Sequence, residues 1–289
     1  MDPRSVVPHN VLISGERIAY GIHGNGSAPI VMLHGTPSSS LIWRNIIPHL
    51  IRAGYKVHVY DLLGYGLSER PWDPCIDTSI TGQFPILKGL LAHWGLQTVN
   101  IVAHDIGGGI AQRLAVFNPE LVSSLTMIDV VSFNSYPSER TKQQMQRGLE
   151  SLIRADSKEH REHMKGWLQS AVVTDNMTRE GSLDVFLNYI SGPVGQASFF
   201  EHQVKHYNPK HTSGEVAERI SELGKVPVQL IWGKNDAWQK LEWAHKLHES
   251  IPGSELTILE TCGHFSLEDR PDEIARLVVS FLERESHVG

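Results

Sequence analysis

Asp105, in the stretch VAHDIGGG (102–109), stands where an apolar run stops and a glycine-rich segment opens a helix. A corner of small residues between a strand and a helix is where a nucleophile is displayed, and here the displayed group is a carboxylate. Two further groups follow apolar runs downstream: Asp236 in WGKND, and His264 at the end of LTILETCGH. A carboxylate attacking an ester carbonyl would form an anhydride and revert. Attack at saturated carbon instead gives a stable alkyl ester and splits a difficult displacement into two easier steps. Asp105 therefore selects an electrophilic sp3 carbon, in a strained epoxide or bearing a halide. Asp105 needs no deprotonation at neutral pH, so His264 is expected to act second, activating water against the alkyl-enzyme ester. Asp236 would fix the imidazole tautomer and stabilise the imidazolium. Asp129, at the end of LTMIDVV, competes for that role, with Asp236 preferred on its WGKND context.

Such groups need a rigid frame that delivers them to one rim. Strand-like segments alternate with helix-like ones over most of the chain, which predicts an α/β fold with a mainly parallel sheet. VLISGERIAYGIHG reads as a hairpin turning at Ser14-Gly15, followed by the strands in PIVMLHG, YKVHVYDLLG, TVNIVAHD, LVSSLTMIDVV, VPVQLIWGKND and SELTILETCGH. In an open parallel sheet, ligands bind beyond the carboxyl ends of the strands, which is where Asp105, Asp236 and His264 fall. From about Ser132 to Leu223 the alternation gives way to polar, helically periodic sequence such as TKQQMQRGLESLIR, EHREHMKGWLQSAV and SLDVFLNYI. The expected organisation is a core of residues 1–131 and 225–289 interrupted by a helical insertion over 132–224. Ala103, Gly107 and Gly108 provide the small neighbours that a strained corner requires.

The order nucleophile, acid, histidine on these elements resembles the α/β-hydrolase fold with a helical cap after the sixth strand. HGTPSSSLIWRNIIPHL followed by DLLGYGLS is similar to the aspartate-nucleophile branch, the epoxide hydrolases and haloalkane dehalogenases. The resemblance covers about residues 11–131 and 225–286, the cap matching only in position and helical character. It implies oxyanion donors at the backbone N–H groups of Thr36 and Ile106. It also implies that tyrosines of the cap region hydrogen-bond the epoxide oxygen; the candidates are Tyr189, Tyr136 and, more weakly, Tyr207. Dehalogenases carry a tryptophan after the nucleophile and often an asparagine in the first loop, where this chain has Ile106 and Thr36; Trp167 is a possible substitute. The expectation is an epoxide-to-diol hydrolase. A dehalogenase with an atypical halide site is the alternative, and a lyase, isomerase or ligand-binding protein on the same fold comes third.

The rest of the chain narrows the partners. Charged residues make up 20% and the formal charge is -6, which argues against nucleic acid or an anionic membrane as partner. MDPRSVVPHN carries no signal-peptide h-region and no apolar run reaches bilayer length, so a cytoplasmic protein is expected. The two cysteines, Cys75 and Cys262, fit a reducing compartment, and Cys262 reads as a small filler at a strand end. GIHGNG reads as a hairpin connection, because it opens no helix that would cradle phosphate. His202 and His206 lack the intervening glutamate of a zinc-protease motif and read as a solvated face, as do His160 with His163 and His245 with His248. His34, His104 and Asp61 read as loop-shaping residues. No cofactor and no metal are expected, only water and a small apolar to moderately polar organic substrate.

Overall fold

In the computed structural model, which describes residues 2–208 and 210–286, the alternation becomes one eight-stranded sheet. β1 (His9–Ile13) and β2 (Glu16–His23) form the hairpin, turning through Ser14 and Gly15 at φ 55° and 91°. β3 (Ala28–Leu33), β4 (Tyr55–Tyr60), β5 (Val99–His104), β6 (Val122–Ile128), β7 (Val228–Gly233) and β8 (Glu255–Leu259) follow. The spatial order is β1-β2-β4-β3-β5-β6-β7-β8, with β2 antiparallel to β1 and β4 and every later pairing parallel. GIHGNG therefore does not close a hairpin: β2 pairs with β4, and the connection carries the chain past β4 to β3. The central strands read as continuous apolar runs because helices cover both faces, and Val31, Met32, Val102, Leu125, Leu230 and Ile231 are fully buried.

α1 (Ile47–Arg52), α2 (Ile80–His93) and α3 (Ile106–Phe117) join the strands of the first half. Between β6 and β7 the described residues contain no strand. They form α4 (Glu139–Arg147), α5 (Glu150–Ile153), α6 (Ser157–Gln169), α7 (Asn176–Glu180), α8 (Ser182–Ile190) and α9 (Gly192–Ser198), then a π-turn at Phe199–Val204, a second at Lys210–Gly214 and a 3-10 helix at Ala217–Lys225. The periodicity of TKQQMQRGLESLIR runs through two helices, because Gly148 at φ 85° ends α4. α10 (Leu241–Ser250), α11 (Ser266–Asp269) and α12 (Pro271–Ser286) complete the fold.

Two carboxylates fasten the helical segment to the core. Glu268 takes both arms of Arg44 at 2.6 and 2.7 Å, and Arg44 also reaches Glu180 at the end of α7. Asp269 accepts the N–H groups of Val173, Thr174 and Gly263 at 2.8–2.9 Å, while the Phe265 N–H donates to the Ala171 carbonyl at 2.8 Å. The loop that carries His264 is thus bonded directly to residues 171–174. Among the described residues no helix is long and apolar enough to cross a membrane, and Cys75 and Cys262 are both free, the second buried.

Candidate active site

The corner after β5 is strained as the sequence predicts. Asp105 adopts φ 51° and ψ -122° between the strand and the first turn of α3, which Ile106 opens. Its carbonyl is held by the N–H groups of Gly108 (3.0 Å) and Val131 (3.2 Å), so the backbone has little freedom to relax. The glycines leave room for this geometry. A Cβ on Gly107 would lie 2.4 Å from the Leu33 carbonyl oxygen, and one on Gly108 would lie 2.1 Å from Val130. On the facing loop, a Cβ at Gly35 would fall 2.3 Å from the Cβ of Asp105.

The two oxygens of Asp105 have different environments. Oδ1 accepts the Thr36 N–H at 2.7 Å, whereas Oδ2 faces His264 Nε2 at 3.5 Å. His264 Nδ1 donates to Asp236 Oδ2 at 2.8 Å, and the other oxygen of Asp236 accepts the N–H groups of Trp238 and Gln239. Burial opposes charge on His264, but Asp236 and Asp105 together outweigh it and push the imidazole up to about 10. Burial likewise opposes the Asp105 anion, and His264, His104 and the Thr36 N–H hold its carboxyl below the ordinary value. The resting pair is therefore carboxylate and imidazolium. His104 is pushed down to about 3, by burial first and by His264 second; its Nε2–H donates to the His264 carbonyl at 2.9 Å. His34 bridges the Gly35 carbonyl and the Leu62 N–H, and Asp61 accepts from Ser40 and Leu67, each bracing a loop.

Asp129 lies close by without taking the imidazole. It follows β6 at φ 46°, its Oδ1 accepts the Gly233 N–H at 2.7 Å, and its Oδ2 is buried without a hydrogen-bond partner among the described residues. Burial first, and the Asp236 charge second, raise this carboxyl well above its usual range. The hydrogen bond to His264 goes to Asp236, and burial favours the neutral form of Asp129. Asp129→Asn preserves shape and neutrality, so kcat/KM should stay within about tenfold of the parent, whereas Asp236→Asn should cost on the order of 10³–10⁴ by imposing the wrong tautomer. Steady-state kinetics on both variants checks the assignment, which the reverse order of effects would overturn.

Above Asp105 and Thr36 lies a cavity of about 550 Å³. Its walls are mainly apolar: Leu152, Met164 and Trp167 come from α5 and α6, Phe199, Phe200 and Val204 from the π-turn, and Trp238 from the loop after β7. Trp167 stacks on Trp238 at 4.5 Å, and Trp238 in turn covers the His264 ring at 4.9 Å. The indole N–H of Trp238 is committed to Ser170. Tyr136 and Tyr207 line the cavity side by side, ring centroids 4.9 Å apart, and the Tyr207 hydroxyl bonds Thr36 Oγ1 at 2.7 Å. Burial raises both phenols well above the ordinary tyrosine value, so both remain protonated.

Tyr189 is placed elsewhere. α8 buries the stripe Leu183, Phe186, Leu187 and Ile190; Tyr189 falls beside that stripe, outside the cavity, with its carbonyl near Arg70 and its hydroxyl without a hydrogen-bond partner among the described residues. His160 and His163 do line the cavity, contrary to the solvated face expected for them, because α6 turns that side towards the opening. His160 Nε2–H donates to the Ile190 carbonyl at 2.8 Å. Trp238 and Arg140 are cavity residues that motif reading does not reach, since neither belongs to a recognisable pattern. His202 bonds Ser198 and the Pro71 carbonyl, and among the described residues no group of His, Cys, Asp and Glu is arranged to hold a metal ion.

The profile of a family described as alpha/beta hydrolase fold matches residues 28–271. Among curated relatives, the 2-hydroxy-6-oxononadienedioate/2-hydroxy-6-oxononatrienedioate hydrolase of Klebsiella pneumoniae is 28% identical over 272 residues, 90% of this chain and 89% of that protein. Among solved structures, an alpha/beta hydrolase fold protein from Burkholderia ambifaria superposes with a TM-score of 0.83 at 28% identity, covering 95% of this chain and 97% of that one. The haloalkane dehalogenase DbeA from Bradyrhizobium elkani superposes with a TM-score of 0.79 at 22% identity, covering 97% and 99%, a likeness of fold alone.

Proposed function

This chain belongs to the alpha/beta hydrolase fold family, and from that premise we propose that it hydrolyses epoxides to diols through a covalent ester on Asp105. The observation that carries the reading is the division of labour between the carboxylate oxygens: Oδ1 is tied to the Thr36 N–H, while Oδ2 has no backbone donor among the described residues and faces His264 Nε2 at 3.5 Å, in a residue that lines a mainly apolar cavity. Oδ2 attacks a ring carbon, the ring C–O bond breaks, and its electron pair goes to the ring oxygen. Oδ1 becomes the ester carbonyl, already seated on its donor. Tyr136 and Tyr207 are the hydroxyls at hand for the departing oxygen, and residues 132–224 act as the cap that supplies them.

Charge then sets the order of events. Esterification removes the negative charge of Asp105, one of the two that hold the proton on His264. Burial, which opposes the imidazolium, gains weight, and the proton leaves to neutralise the alkoxide. Neutral His264, held by Asp236, next takes a proton from water as its oxygen bonds to Asp105 Cγ. The oxyanion forms on Oδ1 against the Thr36 N–H, the ester breaks, and the alkoxide takes the carboxyl proton. Carboxylate and imidazolium are restored, and the sum is epoxide plus water to diol.

A single turnover with excess protein in ¹⁸O-water, run over a panel of epoxides and haloalkanes, tests this. The first diol should carry no label, and the ¹⁸O should appear in the peptide containing Asp105. Label in the first diol would refute the covalent route. Free halide without diol would move the function to dehalogenation, for which Trp167 is the cavity indole whose N–H has no hydrogen-bond partner among the described residues.

A further inference from the structure

The cavity has a second polar end that this reaction does not use. Arg140, in the first turn of α4, and His163, on α6, both line it near the mouth. The Arg140 Nη2–H donates to His163 Nε2. A guanidinium can only donate, so this imidazole is the neutral tautomer with its proton on Nδ1. Burial first and Arg140 second lower the His163 pKa, which keeps it neutral. Arg154, Arg161, Arg179 and Arg219 of the cap pair with Glu150, Asp184, Asp175 and Glu222, whereas Arg140 and Arg147 pair with no carboxylate among the described residues, and of these two Arg140 is the one that lines the cavity. Arg140 has only the imidazole among the described residues, so its charge is uncompensated and most of its donors remain open. Glu159, one turn before His163, is the only carboxylate besides Asp105 that lines the cavity among the described residues.

We infer that Arg140, oriented by His163, receives a carboxylate at the end of the substrate remote from the reacting carbon. The substrate class is then an epoxide joined to a carboxylate through an apolar spacer, which lies along Phe199, Phe200 and Trp167. A planar guanidinium with a free edge suits a carboxylate in the bidentate manner. The negative charge of Asp105 sets the polarity: it repels the anionic end and leaves the neutral, electrophilic end at the floor. The identity of the reacting group rests on the epoxide reading above, whereas the carboxylate subsite does not.

Two measurements separate them. In calorimetry, 4-phenylbutyrate should bind the parent protein roughly tenfold tighter than 4-phenylbutyramide, a modest ratio because the pair is partly exposed. Arg140→Gln should bring the two within about threefold, and Arg140→Lys should retain part of the preference. Equal binding of acid and amide to the parent, or equal weakening of both in Arg140→Gln, would overturn the subsite. In kinetics, an ω-epoxy acid should exceed its methyl ester in kcat/KM mainly through KM, and the ratio should collapse in Arg140→Gln. If the anion binds through Arg140 but no epoxide opens, the subsite stands and the reaction assigned to Asp105 falls.

Discussion

Replacing His264 by glutamine is expected to stop the protein halfway, with Asp105 alkylated and no second half-reaction. Oδ2 can still form the first bond with the tyrosine hydroxyls at the departing oxygen, and the alkoxide can take from solvent the proton that His264 would have given, but the ester needs an activated water. Turnover should fall by on the order of 10³–10⁴, while one equivalent of substrate is still consumed. An intact-mass spectrum should show the protein plus the full mass of an epoxide, or plus the mass of a haloalkane less the hydrogen halide. Peptide mapping should put the adduct on the segment holding Asp105. The reaction is best run near pH 8, because Asp105 loses the imidazolium that holds its carboxyl low and burial then pushes it up. No adduct from a substrate that the parent turns over would remove Asp105 from the chemistry.

The second large effect belongs to a residue with no side chain. In Gly35→Ala the new methyl carbon would lie 2.3 Å from Asp105 Cβ and 2.5 Å from Asp105 Oδ1, closer than side-chain carbons approach one another. Neither partner can yield cheaply: Asp105 is pinned at φ 51° by two hydrogen bonds to its carbonyl, and the Thr36 N–H next door holds Oδ1. Either the carboxylate swings off its donor or the loop withdraws, and a displacement near 1 Å at reacting atoms costs about 10²-fold. Overpacking of this kind also destabilises by about 1–3 kcal/mol, which denaturant titration will read directly. Gly166→Ala provides the comparison, since a Cβ there, in the middle of α6, meets nothing within 4 Å. It should leave activity intact and add up to about 1 kcal/mol of stability. Comparable kcat/KM for the two variants would contradict the pinned-carboxylate geometry.

The sheet was legible because parallel strands buried on both faces must be apolar throughout, as in PIVML, TVNIVA and VQLIW. The meeting of Asp105, Asp236 and His264 follows from the same pattern: polar residues in the segments after such runs fall at the carboxyl ends of the parallel strands, where the structure brings these three side chains together. Strand order was not legible, so GIHGNG passed for a hairpin when it carries the chain past β4. The polar face of the helical segment was harder still. His160 and His163 recur at helical spacing, and that pattern reads the same whether the face meets water or a cavity. Tyr189 shows the converse, since the stripe of α8 was readable and this tyrosine lies just off it. Trp238 and Arg140 meet the cavity only through the packing of α4 and α6 over the loop after β7, a long-range arrangement with no local signature.

The bonds from Asp269 to residues 173, 174 and 263 couple the helical segment to the catalytic rim. A shift of the 171–174 segment would be passed directly to the loop that carries His264. On the proposed mechanism these bonds would keep the general base seated against Asp236 through both half-reactions.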